Sequence, residues 1–158
     1  MALREIRKLG DPILRQKAVS LRDFKKAGPI LEDMAQTMEH YRGVGLAAPQ
    51  IGLGLALVTI RPAEELPVLE LVNPRILKKK GEELEVEGCL SCPGTFGQVP
   101  RATEVELQYQ DRRGRRKTLN ATGFLARVIQ HELDHLEGIL FLDKASSLVD
   151  EEEGQWQS

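Results

Sequence analysis

What this chain lacks narrows its reading first. No stretch approaches the roughly 18 consecutive apolar residues that cross a bilayer, and the N-terminus, MALREIRKLGDP, carries charges where a secretory signal needs an apolar core. A soluble, cytoplasmic protein with no membrane partner is expected. No sign of charge dominates either: 22 Lys plus Arg stand against 24 Asp plus Glu, a formal net charge of -2. That balance leaves no footprint for DNA and no strongly acidic, solvating chain. The local exception is RRGRRK at 112–117, which surrounds a glycine between two strand-like runs and reads as a solvated hairpin turn. Only two cysteines occur, Cys89 and Cys92. So closely spaced, they cannot staple distant parts of a fold, whereas metal or redox chemistry often uses such a pair. There is no internal repeat, and a length of 158 residues suits one domain with one core.

What is present has an order. From Pro29, PILEDMAQTMEHYRG sets Leu31, Met34, Ala35, Met38 and Tyr41 at helical spacing, with Gly43 just past the end as a stop. The runs 55–60, 68–74, 103–110 and 116–122 are β-branched or alternating and bounded by Gly, Pro and Asn, so they predict strands. Helical periodicity returns in FLARVIQHELDHLEG, where Gly138 supplies the C-terminal stop. Strands in the middle with helices near both ends predict an α+β domain, not βαβ units. Residues 1–145 are expected to form that domain, with 146–158 a polar, acidic tail whose last residues, DEEEGQWQS, read as frayed or disordered.

The chemistry gathers in IQHELDHLEG. His131 and His135 are four apart and so leave one face of a helix, with Glu132 directly after the first. H-E-x-x-H brings two ring nitrogens to a metal and a carboxylate to an attacking water. Asp134 and Glu137 face solvent or stand behind the ligands, and no chemistry is assigned to them. A catalytic site needs a third protein ligand and one open position. Downstream, LEGILFLDK offers only Glu137, too close to swing onto the same metal, and Asp143. Upstream, VEGCLSCPG offers the Cys89 thiolate, with Gly88 permitting a close backbone approach. A third stretch, GVGLAAPQIG at 43–52, has too little side chain to be explained as a packed strand or helix. It reads as a loop whose bare backbone meets a substrate chain, with Gln50 presenting a neutral donor. The lysine of a phosphate-binding loop is missing.

Taken together, GVGLAAPQ, EGCLS and QHELDH, in that order and spacing, resemble the three motifs of the peptide deformylases, and IRKLGDPILRQKA is similar to the usual start of that family. The resemblance runs from about residue 4 to 143. It implies antiparallel or mixed sheets packed around a central H-E-x-x-H helix, with an N-terminal helix. It also implies removal of the formyl group from the N-terminal formyl-methionine of newly made polypeptides, with release of formate. The implied ligands of one divalent metal, Fe²⁺ most often in the family and otherwise Zn²⁺, Ni²⁺ or Co²⁺, are Cys89, His131 and His135. Glu132 becomes the general base and acid, and the Leu90 N–H with the Gln50 amide becomes the oxyanion hole. The methionine pocket is implied at Val44, Gly45, Glu87, Phe124, Arg127, Val128 and His131. The helical stripe through His131 and His135 independently picks out Phe124, Arg127 and Val128. Arg127 is unusual on such a wall and is placed at the pocket mouth, paired with Glu87 or reaching an acidic group on the peptide; Arg101 braces Glu87.

Two departures frame the rivals. Cys92 completes a C-x-x-C and, with the two histidines, a nominal Cys₂His₂ zinc set. About 38 residues separate Cys92 from His131, however, where compact fingers use roughly 12–15. Pro93 also removes a backbone N–H that could point at sulfur. An extended backbone over 89–92 would turn the two thiols to opposite faces. The second departure is the C-terminus, whose acidic run would repel RNA and argues against docking to the ribosome by that route. A general H-E-x-x-H peptidase is disfavoured by the missing downstream ligand.

Overall fold

A computed structural model describes residues 2–149. Its elements run α1 (Ala27–His40), β1 (Gly45–Ala47), β2 (Leu57–Ile60), β3 (Leu69–Lys80), β4 (Glu83–Glu87), β5 (Phe96–Arg101), β6 (Glu104–Gln110), β7 (Arg116–Thr122), α2 (Gly123–Leu136) and β8 (Ser147–Val149). The strands form two sheets, ordered β1-β2-β3-β6-β7 and β4-β5-β8, and every neighbouring pair is antiparallel. The expected α+β class holds. Among the described residues no helix is long and apolar enough to cross a membrane.

Alternation along the strands decides which helix covers which face. Leu46, Leu57 and Val72 pack with Leu31, Met34 and Met38 of α1. Their neighbours Ala47, Val58 and Leu71, with Ile60, pack with Ala126, Val128 and Ile129 of α2. The larger sheet is therefore buried on both sides near β1 and β2, which is why all four residues of LVTI are buried. Each fully buried Leu or Met here contributes roughly 1.5–3 kcal/mol.

Both helices stop as their sequence chemistry dictates, with one difference from expectation. At the end of α2, Gly138 has φ 76°, with bonds from Gly138 N–H to His135 O and from Ile139 N–H to Asp134 O. That double closure satisfies the last carbonyls, and a side chain at Gly138 would sit 2.6 Å from the Arg15 carbonyl oxygen. In α1 the equivalent left-handed residue is Arg42, φ 56°, and not the expected Gly43. Gly43 instead donates to Met38 O at 2.8 Å as the residue beyond it.

Three further expectations need correction. The glycine-rich stretch is not a bare loop: Gly45–Ala47 is strand β1, paired with β2, and Ala48–Ile51 is one 3-10 turn, all buried. Small residues suit it because α1 and α2 close on it from opposite faces. The strand expected to end at Pro74 continues to Lys80, because Asn73 (φ 51°) and Pro74 fall in a register shift where proline's missing N–H breaks no ladder bond. The chain also remains ordered past 145, since Ser147–Val149 pairs with β5; the expectation of a frayed end at 150–158 lies outside the described residues. The basic cluster is the turn expected between β6 and β7, with Asp111 accepting from Arg113 N–H and Arg115 N–H.

Candidate metal centre

Helix α2 runs beneath the larger sheet with its polar stripe turned inward. The result is a helix whose Arg127, Gln130, His131, Glu132 and His135 are all buried. Burying so much polarity is costly unless each group finds a partner, and the partners define the site. Cys89, on the segment after β4, meets the two histidines, so that one ligand atom from each of the three residues lies within 4.8 Å of the others. Bonds of about 2.0–2.3 Å to one ion span such a cluster with small adjustments. Cys89 Sγ is 3.4 Å from His135 Nε2. Burial lowers His131 and His135 below the usual histidine range, which keeps them in the neutral, ligating form. Burial also pushes the Cys89 thiol up, a cost that a bound cation offsets by favouring the thiolate. One thiolate and two imidazoles suit a divalent transition metal with a further position open.

Cys92 stands outside this cluster, but not for the reason expected. Residues 89–92 form a turn closed by Cys92 N–H to Cys89 O at 3.0 Å, not an extended segment. Both residues line the same cavity, so the turn does not send them to opposite faces.

Behind the ligands lies a charged network in which Glu87 is the hub. Its Oε1 is 2.9 Å from His131 Nδ1, so the nitrogen of that ring available to a metal is Nε2. Arg101 clamps the same carboxylate with two bonds, 2.9 and 3.0 Å, and Arg127 Nη1 adds a third at 2.7 Å. Burial would raise the Glu87 carboxyl, but the bonds from His131 and Arg101 outweigh it and hold it at about 2. Arg101 also reaches Asp134 at 2.6 Å, and Lys144 holds Asp134 in turn. Glu87 is fully buried, so it orients a ligand and does not face a substrate. Arg127 corrects its expected place at the pocket mouth: only 6% exposed, it pairs with Glu87 and donates to the Val99 and Glu83 carbonyls, tying α2 to the smaller sheet.

Glu132 lies with no solvent exposure beneath β1. Gly45 is what admits it, because a Cβ there would stand 2.6 Å from Glu132 Oε2 and 3.0 Å from its Cγ. Burial, and then the charge of Glu87, push the Glu132 carboxyl well above the usual range. Gln50 is held by Ala47 N–H donating to its Oε1 at 3.0 Å, and its amide donates to Ser91 Oγ at 3.2 Å and to Cys89 Sγ at 3.6 Å. Gln50 thus points at the ligand cluster. Leu90 follows Cys89 directly, and among the described residues no acceptor takes its N–H.

Of the other residues expected on the pocket wall, Val44 is half-buried, Phe124 is 45% exposed on the first turn of α2, and Val128 is fully buried in the core against the sheet. Ser91 and Gln130 were not anticipated. Ser91 steers Gln50, and Gln130 pins α2 to Ala102 through bonds to its N–H (3.0 Å) and carbonyl (2.9 Å). Both stand inside quoted motifs, but a short polar side chain beside a ligand carries no sequence signal for what it touches.

A family model described as Polypeptide deformylase matches residues 3–151. A protein named peptide deformylase from Caldanaerobacter subterraneus subsp. tengcongensis is 49% identical over 154 residues, covering 97% of this chain and 96% of that protein. Among solved structures, the peptide deformylase of Thermus thermophilus superposes with a TM-score of 0.87 at 45% identity, over 89% of this chain and 84% of that one. A peptide deformylase from Synechococcus elongatus in complex with actinonin gives 0.87 at 43% identity, over 91% and 79%.

Proposed function

This chain belongs to the polypeptide deformylase family, and from that premise we propose how its own residues remove the formyl group from N-terminal formyl-methionine of newly synthesised polypeptides. The observation that carries the proposal is the convergence of Cys89, His131 and His135 to within 4.8 Å. These three would hold one divalent ion, Fe²⁺ in the cell, although Zn²⁺, Ni²⁺ and Co²⁺ suit the same donors. When bound, the ion supplies Lewis acidity and makes a water acidic.

The chain does the rest. Glu132 takes up a proton from the water that attacks the formyl carbon and returns it to the methionine amine as the C–N bond breaks, leaving formate and a free amine. Its burial supports this role, since a carboxyl raised above the usual carboxylate range holds a proton more readily and so can both accept and return one. Leu90 N–H and the Gln50 amide meet the charge that develops on the formyl oxygen. Gln50 is oriented in advance by Ala47 and Ser91. Val44, Gly45 and Phe124 contact the methionine side chain, while Glu87, Arg127 and Val128 hold that wall from behind. The same reading puts the enzyme in the cytoplasm with nascent chains as its partners, and with neither DNA nor a membrane surface. The acidic run at the C-terminus opposes ribosome docking through the tail.

Anaerobic purification, metal analysis and an assay on a formyl-Met peptide beside its acetyl-Met and unblocked analogues test this. One metal per chain and formate release from the formyl peptide alone are expected. Cleavage of peptide bonds with the formyl group intact would overturn the reading.

A further inference from the structure

Deformylation has no use for Cys92, yet its placement is specific. Both cysteines are free and buried, at 6% and 4% exposure. The turn bond from Cys92 N–H to Cys89 O makes them the first and last residues of a four-residue turn. Such a turn brings the two Cα atoms to less than about 7 Å, near the roughly 4.4–6.8 Å over which disulfides form. Both cysteines also line one cavity of about 220 Å³ with Tyr41, Leu90, Pro93 and Phe96, which gives a small oxidant a way in.

We propose that Cys89 and Cys92 form a reversible oxidation site for hydrogen peroxide, in which Cys92 resolves an oxidised Cys89 as a disulfide and so withdraws a metal-binding sulfur without destroying it. In the first step one sulfur attacks a peroxide oxygen; an S–O bond forms, the O–O bond breaks, and the departing oxygen leaves as water with the thiol proton. In the second, the other thiol attacks that sulfur, the S–S bond forms, the S–O bond breaks and a second water leaves. Two thiols are oxidised and one peroxide is reduced to two waters. A thiol reductant reverses the product by exchange. Without a neighbour, an oxidised Cys89 continues to sulfinic and sulfonic acids, which a thiol does not reverse.

The release of metal rests on the ligand assignment proposed above; formation of the disulfide does not. The two are separated by loading the protein with redox-inert Zn²⁺, confirming one ion per chain, then adding hydrogen peroxide and following zinc release with a chromogenic chelator and intact mass in parallel. Metal-free protein is oxidised alongside. The parent is expected to lose two hydrogens and to show a linked peptide containing Cys89 and Cys92, both erased by dithiothreitol, with zinc binding restored. Cys92→Ala should lose zinc irreversibly and gain two or three oxygens at Cys89. A parent that gains those oxygens with no linked peptide overturns the proposal, and because this measurement uses the parent it does not depend on the variant's folding. Equal recovery of zinc binding by Cys92→Ala overturns it too. Zinc that fails to bind at one ion per chain, with the linked peptide still formed, would sink the ligand assignment and leave the disulfide standing.

Discussion

Helices α1 and α2 are each 14 residues long and flank the same sheet, but α1 buries two polar side chains, Asp33 and Thr37, where α2 buries five. The inward face of α1 is largely Leu31, Met34 and Met38, whose burial needs only volume and shape. The inward face of α2 adds Arg127, Gln130, His131, Glu132 and His135 to its apolar set, and four of these bond to groups on other elements: Glu87, Val99, Ala102 and Cys89. Glu132, the fifth, fits only because β1 offers a glycine. An amphipathic helix can therefore be held mainly by hydrophobic burial, as α1 is with only Asp33 and Thr37 bonded to Ala2 and Arg4, or can spend much of its buried face on polar groups if the rest of the fold is built to receive them. In this molecule the second kind carries the chemistry and the first kind stabilises the sheet against which it is aligned.

Substitutions on the two helices should separate these roles. Glu132→Gln on α2 keeps shape and ligands, so metal content and stability should stay near the parent while kcat falls on the order of 10²–10⁴-fold; an unchanged kcat would remove Glu132 from proton transfer. Met34→Ala on α1 should do the reverse, costing about 2–5 kcal/mol in urea unfolding with kcat per folded molecule unaltered. A matching loss of kcat would show that α1 positions the site as well as supporting it.

Two subtler changes sharpen the contrast where α2 meets its surroundings. Glu87 is held at about 2 against an ordinary value of 4.5. Its stabilising contribution is thus fully present above pH 4.5 and lost as pH falls towards 2, at most on the order of 3 kcal/mol. The stability gap between the parent and Glu87→Gln should be widest near pH 6–7 and close on acidification, which urea titrations across that range would read; a gap independent of pH contradicts the assignment. Gly45→Ala alters β1 alone, yet its new methyl would press on Glu132, and kcat should fall by roughly 10²-fold with the metal retained, as small misplacements of a reacting group do. Normal kinetics would mean that Glu132 can yield without loss.

Legibility in the sequence follows the range of the interactions. His131, Glu132 and His135 were readable because helical periodicity is local and three chemically distinctive residues share one turn. The strands β2, β6 and β7 were readable by β-branched or alternating residues, whereas β4 and β5 were not. ELEVE is mostly exposed, and FGQVPR carries Gly97 and Pro100 inside a strand. β1 was hidden by its glycine and alanines, whose small size matters only because two helices and Glu132 crowd it. Arg127 announced itself as odd on a buried stripe, but its partners lie 28 to 44 residues away in sequence.

By itself the sequence determined the helical face that carries His131 and His135, the candidate ligand Cys89 upstream of it, the family these motifs resemble and the α+β class, since residue type and spacing encode local geometry directly. The tertiary structure alone decided that Glu87 braces His131 and does not line a pocket, that Arg127 locks α2 to the smaller sheet, that Gly45 makes room for Glu132, and that Cys89 and Cys92 stand at the two ends of one turn. Those outcomes depend on which buried charges meet, and on how closely two backbones approach. Both are settled by the cost of leaving a buried polar group unpaired across distances that no sequence window spans.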